Sequence, residues 1–370
     1  MSRQNIPYAP IFELRRADTV ESIRFGAAAV VDAFGNLLAW YGNPNAVTFM
    51  RSSAKPFQVM PFIEHGAKSS YALSQREIAI LCSSHSGTEE HIEVLQALQS
   101  KTGISHLDLL CGSHYPLDKK SSEKMLVEGQ QPASNHHNCS GMHTGVLKRS
   151  RILEAPSNGL PPDLDYIDPD HPVQKEILKT LAEMSGLQAG SIHIGIDGCS
   201  LPSFALPLFN AALAYARLCD PETGGVAPAE RRHACIEITR AMMGHPEMVA
   251  GPGRFDTHLM QIIHGRLVSK GGAEGVQAIG LLPGVLGPGS PGVGIFSKIS
   301  DGDTNNFAGP AVVVEILIQL GALSSSEIAE LTKFGPSLPV RNWRNVEAGQ
   351  AYPTFELNFS PDFLRNKDYF

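Results

Sequence analysis

The chain has 370 residues, a formal charge of −7, and 42% hydrophobic against 18% charged residues, a composition that can bury a substantial core without disulfides or metals. The acidic excess and the lack of any Lys/Arg block argue against a nucleic-acid surface, which needs a basic stripe facing phosphate. Membrane spanning is excluded on similar grounds: the longest apolar run, Ala308 to Leu320, is interrupted by Pro310, Glu315 and Gln319 and falls short of the roughly 20 residues a span requires. The polar N-terminal stretch lacks the apolar core of a secretion signal. A cytoplasmic protein is therefore expected, with its six cysteines kept as thiols.

The predicted elements begin with two β-rich runs, Phe25 to Val31 and Leu37 to Tyr41, joined by a turn at Asp32 to Gly35. Ser52 to Gly66 reads as a helix, with Pro56 near its first turn, a kink expected at Pro61 and Gly66 as its stop. Ser74 and Glu77 form a capping box before Ile78 to Cys82, and Thr88 opens a helix with Ile92, Leu95 and Leu98 on one stripe. The polar loop Cys82-Ser-Ser-His-Ser-Gly87 lies between them. Further helices are expected from Asp170 and Pro172 to Gly186, and from Pro228 to Gly244.

Strand character returns at Arg266 to Lys270, Val276 to Leu282 and Gly292 to Ile299, followed by a helix around Val312 to Leu320 and a last strand at Tyr352 to Phe359. Pro156 to Pro162 and Gly284 to Gly294 look flexible. The order implies an α+β protein with one mostly antiparallel sheet built from both ends of the chain. We expect a single catalytic unit over 1–370, with the sheet part at about 20–70 and 265–370 and a helical lobe at about 71–264.

Several clusters could carry chemistry. Ser52-Ser-Ala-Lys55 places a hydroxyl and an amine one turn apart at a helix start, the pairing by which penicillin-interacting enzymes activate serine. Ser121 and Lys124 share that spacing, but their Lys-rich surroundings read as a solvated loop. Lys270-Gly-Gly ends a predicted strand, where glycines admit a substrate to the backbone. Ser84 offers a second hydroxyl between two helices. The His136 to His143 run and the Asp197-Gly-Cys199 turn add ligand-capable groups, though Cys139 and Cys199 lack any zinc-finger spacing. His245 to Arg254 reads more readily as a helix stop than as a substrate feature.

Taken together, RSSAKP (51–56), CSSHSGTEEH (82–91), NCSGMHTG (138–145), DGCSLP (197–202), HPEMVAGPGR (245–254) and the Lys270 segment resemble the asparaginase II, or class 3, L-asparaginases, in the order that family has them. The resemblance implies a fold related to serine β-lactamases, a homodimer, and hydrolysis of the side-chain amide of L-asparagine to aspartate and ammonia. It also implies Ser52 as nucleophile, Lys55 as its partner, Ser84 as second serine, Lys270 as second lysine, and Cys139 with Cys199 as zinc ligands. Met142 stands where the family carries a lysine that binds the zinc. A thioether is a weak donor for zinc, so tightly held zinc is not expected. No organic cofactor is required.

The chemistry then expected is an acyl-enzyme: Ser52 attacks with Lys55 as base, the Ser52 N–H is one oxyanion donor, and Ser84 relays a proton to the departing ammonia. A zwitterionic amino-acid amide would be held by Arg51, His143 and Asp197. The alternatives are Ser84 as nucleophile, a Ser/Lys acyl-enzyme hydrolase or acyltransferase on another amide, a binding protein with an altered metal site, and a Cys139 nucleophile with His143 as base.

Overall fold

The computed structural model describes residues 7–154 and 165–366, so the segment expected to be flexible at Pro156 to Pro162 lies outside the described residues. The chain divides into two compact units, one made of residues 1–53, 206–225 and 258–370 and the other of 54–205 and 226–257.

The first unit is built on a nine-stranded sheet. Its long strand Thr19–Asp32 turns back through Asp32 to Gly35 into Leu37–Tyr41, the hairpin expected from the sequence. Asp32 holds this turn, accepting hydrogen bonds from the Asn36 backbone at 2.8 Å and from its side-chain amide at 2.9 Å. Thr19–Asp32 also pairs antiparallel with Ala9–Arg16 and with Val293–Ile299, and Val276–Leu281 and Leu267–Gly272 complete that edge. Ala9–Arg16 and the pair Leu338–Arg341 and Glu347–Pro353 are strands that their polar composition conceals. The expected terminal strand is divided, since only Asn358–Phe359 continues it, against Leu37–Tyr41. The α+β class with both chain ends in one antiparallel sheet is thus what the structure contains.

Ala27 to Val31 are wholly excluded from solvent, as a strand covered on both faces must be. Helices Leu208–Cys219 and Ala308–Leu320 pack on these strands. The first is rich in small residues (Ala211, Ala212, Ala214, Ala216) and reaches bare strand backbone. A Cβ on Gly294 would sit 1.8 Å from the Ala212 carbonyl, and one on Gly280 2.4 Å from the Cys219 sulfur. The Gly284 to Gly294 segment is an ordered series of turns, closed by Gly284 N–H to the Ser290 carbonyl at 2.9 Å.

In the second unit the helix Lys55–Glu64 is buried along its length from Lys55 to Ile63 and packs against Ser140–Leu153, Pro172–Ser185 and Ala229–Gly244. A helix with no polar face must be central in its layer. Both expected capping boxes are present: Ser74 opens Gln75–Leu81 and Thr88 opens Glu89–Thr102. His171, rather than Asp170, caps Pro172–Ser185, and Gly186 closes it in the left-handed conformation. Ser121 and Lys124 lie in a helix, Lys119–Val127, capped by Asp118, where a loop was expected. That helix has no apolar stripe to announce it and buries only Met125.

Ser140–Leu153 is a helix despite Gly141 and Gly145, each of which costs about 1 kcal/mol relative to alanine. Packing explains them: a Cβ at Gly141 would lie 2.1 Å from the Ile80 carbonyl, and one at Gly145 2.8 Å from Leu81. No helix among the described residues is long and apolar enough to cross a membrane.

Candidate active site

The chain leaves Val47–Phe49 into a 3-10 turn, Arg51–Ala54, that runs directly into Lys55–Glu64. Ser52 is half-buried in that turn. Within the sheet unit the turn is fixed by Ser53, whose N–H and hydroxyl both reach the Met50 carbonyl, at 3.2 and 2.7 Å, while Tyr215 donates to the Ser53 carbonyl at 2.7 Å. Arg51 adopts a positive φ of 51° and pairs with Glu274 at 3.8 Å. Lys270 lies on the neighbouring strand Leu267–Gly272, fully buried. Its Nζ reaches the Gly271 carbonyl at 3.0 Å. Gly272 is glycine because a Cβ there would meet the Met50 carbonyl at 2.8 Å and the Arg51 side chain at 3.3 Å.

In the helical unit Lys55 is 1% exposed. A buried amine must find acceptors, and its Nζ donates to the Ser83 carbonyl at 2.6 Å, the Ser84 hydroxyl at 2.9 Å and the Asn138 carbonyl at 3.4 Å. Because Lys55 supplies the proton in its contact with Ser84 Oγ, the Ser84 hydroxyl proton is directed elsewhere. Two chemistry-bearing residues 29 apart in sequence are thereby joined.

The loop carrying Ser84 is held by His85. The Ser140 hydroxyl gives its proton to the Asn135 carbonyl at 3.1 Å, so His85 Nε2–H must be the donor in its 2.8 Å contact with Ser140. Its Nδ1 is left to accept from Gly87 N–H at 3.1 Å. Burial first, and the neighbouring His91 second, push the His85 pKa well below the ordinary range. His85 is thus a neutral structural strut, not an acid or base.

Cys139 caps Ser140–Leu153 and Cys199 sits in the tight turn after Asp197, where Ser200 takes a positive φ of 74°. The structure brings these two thiols together. A hydrogen bond from Cys199, helped by Lys55 and His137, holds the Cys139 thiol well below its ordinary pKa, and the same shared bond and burial raise Cys199. Nearby Met142 is 1% exposed. Among the described residues no group of three or more His, Cys, Asp and Glu side chains is placed to share a metal ion. Met142, one turn after Cys139, offers only a thioether, a weak donor for zinc.

His143 has no exposed surface, and its Nδ1 meets the Tyr166 hydroxyl at 2.7 Å. Burial pushes its pKa down to about 3. The hydroxyl of Tyr166 in turn accepts from Leu110 N–H at 2.8 Å. Asp197 is half-buried, with Oδ1 accepting from Gly198 N–H at 2.7 Å. Sequence reasoning did not single out Tyr166 or Asn135: each is an ordinary residue type whose role exists only through a distant partner.

Residues 12–353 match the family model described as L-asparaginase II. The chain belongs to the L-asparaginase II family. It is therefore an amidohydrolase, a hydrolase acting on amide C–N bonds. No curated protein matches this family member in sequence. Solved structures similar to it include a Bacillus subtilis glutaminase in covalent complex with 5-oxo-L-norleucine, formed by reaction with 6-diazo-5-oxo-L-norleucine, at 12% identity, covering 81% of this chain and 89% of that one, with a TM-score of 0.36. Another is a probable glutaminase from Bacillus subtilis complexed with 6-diazo-5-oxo-L-norleucine, at 13% identity, 80% and 84% coverage and a TM-score of 0.35. Similarities this distant define neither substrate nor mechanism.

Proposed function

We propose that this amidohydrolase hydrolyses the side-chain amide of L-asparagine to L-aspartate and ammonia through a serine acyl-enzyme. The observation that carries the reading is the buried Lys55 amine, bonded to Ser84 Oγ at 2.9 Å and three residues after Ser52 on one continuous helical run. Ser52 is the nucleophile. Lys55 takes its proton, the Ser52 N–H helps hold the oxyanion, and Ser84 hands a proton to the leaving nitrogen and is resupplied by Lys55. Lys270 is the second cation of the set. Water activated through the same relay then opens the acyl-enzyme.

Arg51 and Asp197 are proposed for the substrate carboxylate and ammonium. His143 is not given a direct contact, because it is neutral, wholly buried and engaged by Tyr166. No step passes through a metal or an organic cofactor. The reading includes a homodimer, supported by the resemblance alone and tested by sedimentation.

The deciding experiment is ammonia release from L-asparagine, with L-glutamine alongside, by the wild type and by Ser52→Ala. We expect turnover of asparagine that falls by at least about a thousandfold in the variant, as for loss of a nucleophile. More than about a tenth of the wild-type rate in Ser52→Ala would sink the assignment. A Ser52-dependent preference for another amide would point instead to a pocket altered around Met142, which is buried and departs from the family's lysine.

A further inference from the structure

The HPEMVAGPGR segment was left without a role by the sequence, and the helical unit supplies one. Four hydrogen bonds tie it to the Ser84 loop and the helix that follows. Ser84 N–H donates to the Val249 carbonyl at 2.9 Å, and Ser86 Oγ to the Ala250 carbonyl at 2.8 Å. His91 Nε2 meets the Glu247 carbonyl at 2.9 Å, and Arg254 Nη1 donates to the Ser84 carbonyl at 2.8 Å. Gly251 makes this approach possible. Its φ is +123°, and a Cβ there would fall 2.6 Å from Ser86 Oγ and 3.2 Å from the His91 ring.

The loop is therefore held between two long basic side chains that donate to consecutive carbonyls. Lys55 takes that of Ser83 at 2.6 Å, and Arg254 takes that of Ser84. A shift of the Ser84 residue as a whole would break the Arg254 bond and carry Oγ away from Lys55. Charge-assisted bonds are about twice as strong as neutral ones, so the guanidinium is the strongest single restraint on that peptide from the 245–254 side.

We propose that Arg254 is a positioning residue that, with the Gly251 bend, sets the Ser84 hydroxyl on Lys55. Arg254 acts through Ser84 and not on the substrate. The proposal rests on the reading of Ser84 as proton relay given above, and the test separates the two.

Arg254→Gln, Arg254→Lys, Gly251→Ala, Ser84→Ala and the double variant Ser84→Ala/Arg254→Gln are compared for kcat and KM on L-asparagine, with thermal melts to establish folding. Arg254→Gln should lower kcat about ten- to a hundredfold with KM within about twofold, the scale of a displacement near 1 Å at a reacting group. Arg254→Lys, which can still donate to the carbonyl, should recover most of that loss. In the Ser84→Ala background Arg254→Gln should change kcat by less than about twofold, because residues that act as one unit are not additive. Amide exchange at Ser84, protected by the Val249 bond, should quicken in Arg254→Gln and Gly251→Ala.

A KM rise of tenfold or more with kcat unchanged would overturn positioning and make Arg254 a substrate contact. Wild-type kcat in Arg254→Gln beside a dead Ser84→Ala would overturn the proposal and leave the relay standing. Full activity in Ser84→Ala would overturn the relay itself, and with it any action of Arg254 through Ser84.

Discussion

In the sheet unit, helix Leu208–Cys219 lies close against bare strand backbone at Gly280 and Gly294. In the helical unit, the comparable approaches at Gly141 and Gly145 meet Ile80 and Leu81, while the buried side chains of that unit include many that carry charge and hydrogen bonds. Among the described residues the buried histidines, His85, His91, His137, His143 and His171, all belong to the helical unit, as do buried Arg149 and Arg231. The sheet unit buries Lys270, Lys298 and three aspartates, Asp32, Asp220 and Asp303, each of which accepts from a backbone N–H. An apolar core is stabilised by exclusion of water, whatever the pH. A polar core is stable only while each group keeps its partner and its protonation state, and that same demand fixes groups such as Lys55 well enough to do chemistry.

This contrast can be broken most sharply at the glycine contact. Gly294→Ala would force a Cβ to 1.8 Å from the Ala212 carbonyl, and we expect a loss above about 4 kcal/mol, in the range reserved for severe core strain. Insoluble protein, or a denaturation midpoint far below wild type, is the expected readout. A near-normal midpoint would show that the helix can withdraw from the sheet.

Next comes Arg231, which is bound to Glu64 and Glu183 and has a side chain only 8% exposed. Arg231→Met should cost about 3–5 kcal/mol in urea unfolding, mostly because Glu64 is left buried and unpaired. If Glu64→Leu were added, much of the loss should return. Failure to recover would mean that packing, not charge, sets the cost.

The buried histidines predict acid sensitivity confined to the helical unit. With His143 held at about 3 and an unfolded value near 6.5, the unfolded chain binds a proton between those limits that the folded chain does not. Its contribution is complete above about pH 6.5 and is lost as the pH falls towards 3. His143→Gln should flatten the fall in stability between pH 6.5 and 4.5 by an amount on the order of 1–2 kcal/mol. An unchanged slope would transfer the effect to His85 and His91.

The smallest effect concerns two of the capping boxes, that of Ser74 in the helical unit and that of Ser324, which opens the helix Ser325–Glu330 in the sheet unit. Ser74→Ala and Ser324→Ala should each cost about 1 kcal/mol, with the larger loss at Ser74, whose partner Glu77 is buried and also accepts from Lys101 at 2.7 Å. Equal losses would show that the local cap dominates in both units.

Much of the fold was legible because it is local. The Asp32 to Gly35 turn, the Ser74 and Thr88 caps and the Gly186 stop depend on neighbours within four residues. Ala9–Arg16 was hidden, since a strand at the edge of a run such as Glu-Leu-Arg-Arg shows little alternation. Ser140–Leu153 was hidden for the opposite reason: its glycines oppose helix propensity, and only contact with the Gln75–Leu81 helix repays them. At the site, the residue types of Ser52, Lys55, Ser84 and Lys270 could be picked out by motif. Arg254 was visible within HPEMVAGPGR, but only its bond to the Ser84 carbonyl gives it a place at the site.

What the sequence by itself determined is the chain's family, its antiparallel α+β class and the local signals that start and stop most of its elements, all of which rest on spacing along the chain. Only the tertiary structure decided which polar groups meet: Lys55 with Ser83 and Ser84, Cys139 with Cys199, and Arg254 with a carbonyl 170 residues away. The reason is physical. A buried hydrogen bond is specified by the packing that brings donor and acceptor within about 3 Å, and no periodicity in the sequence encodes that distance.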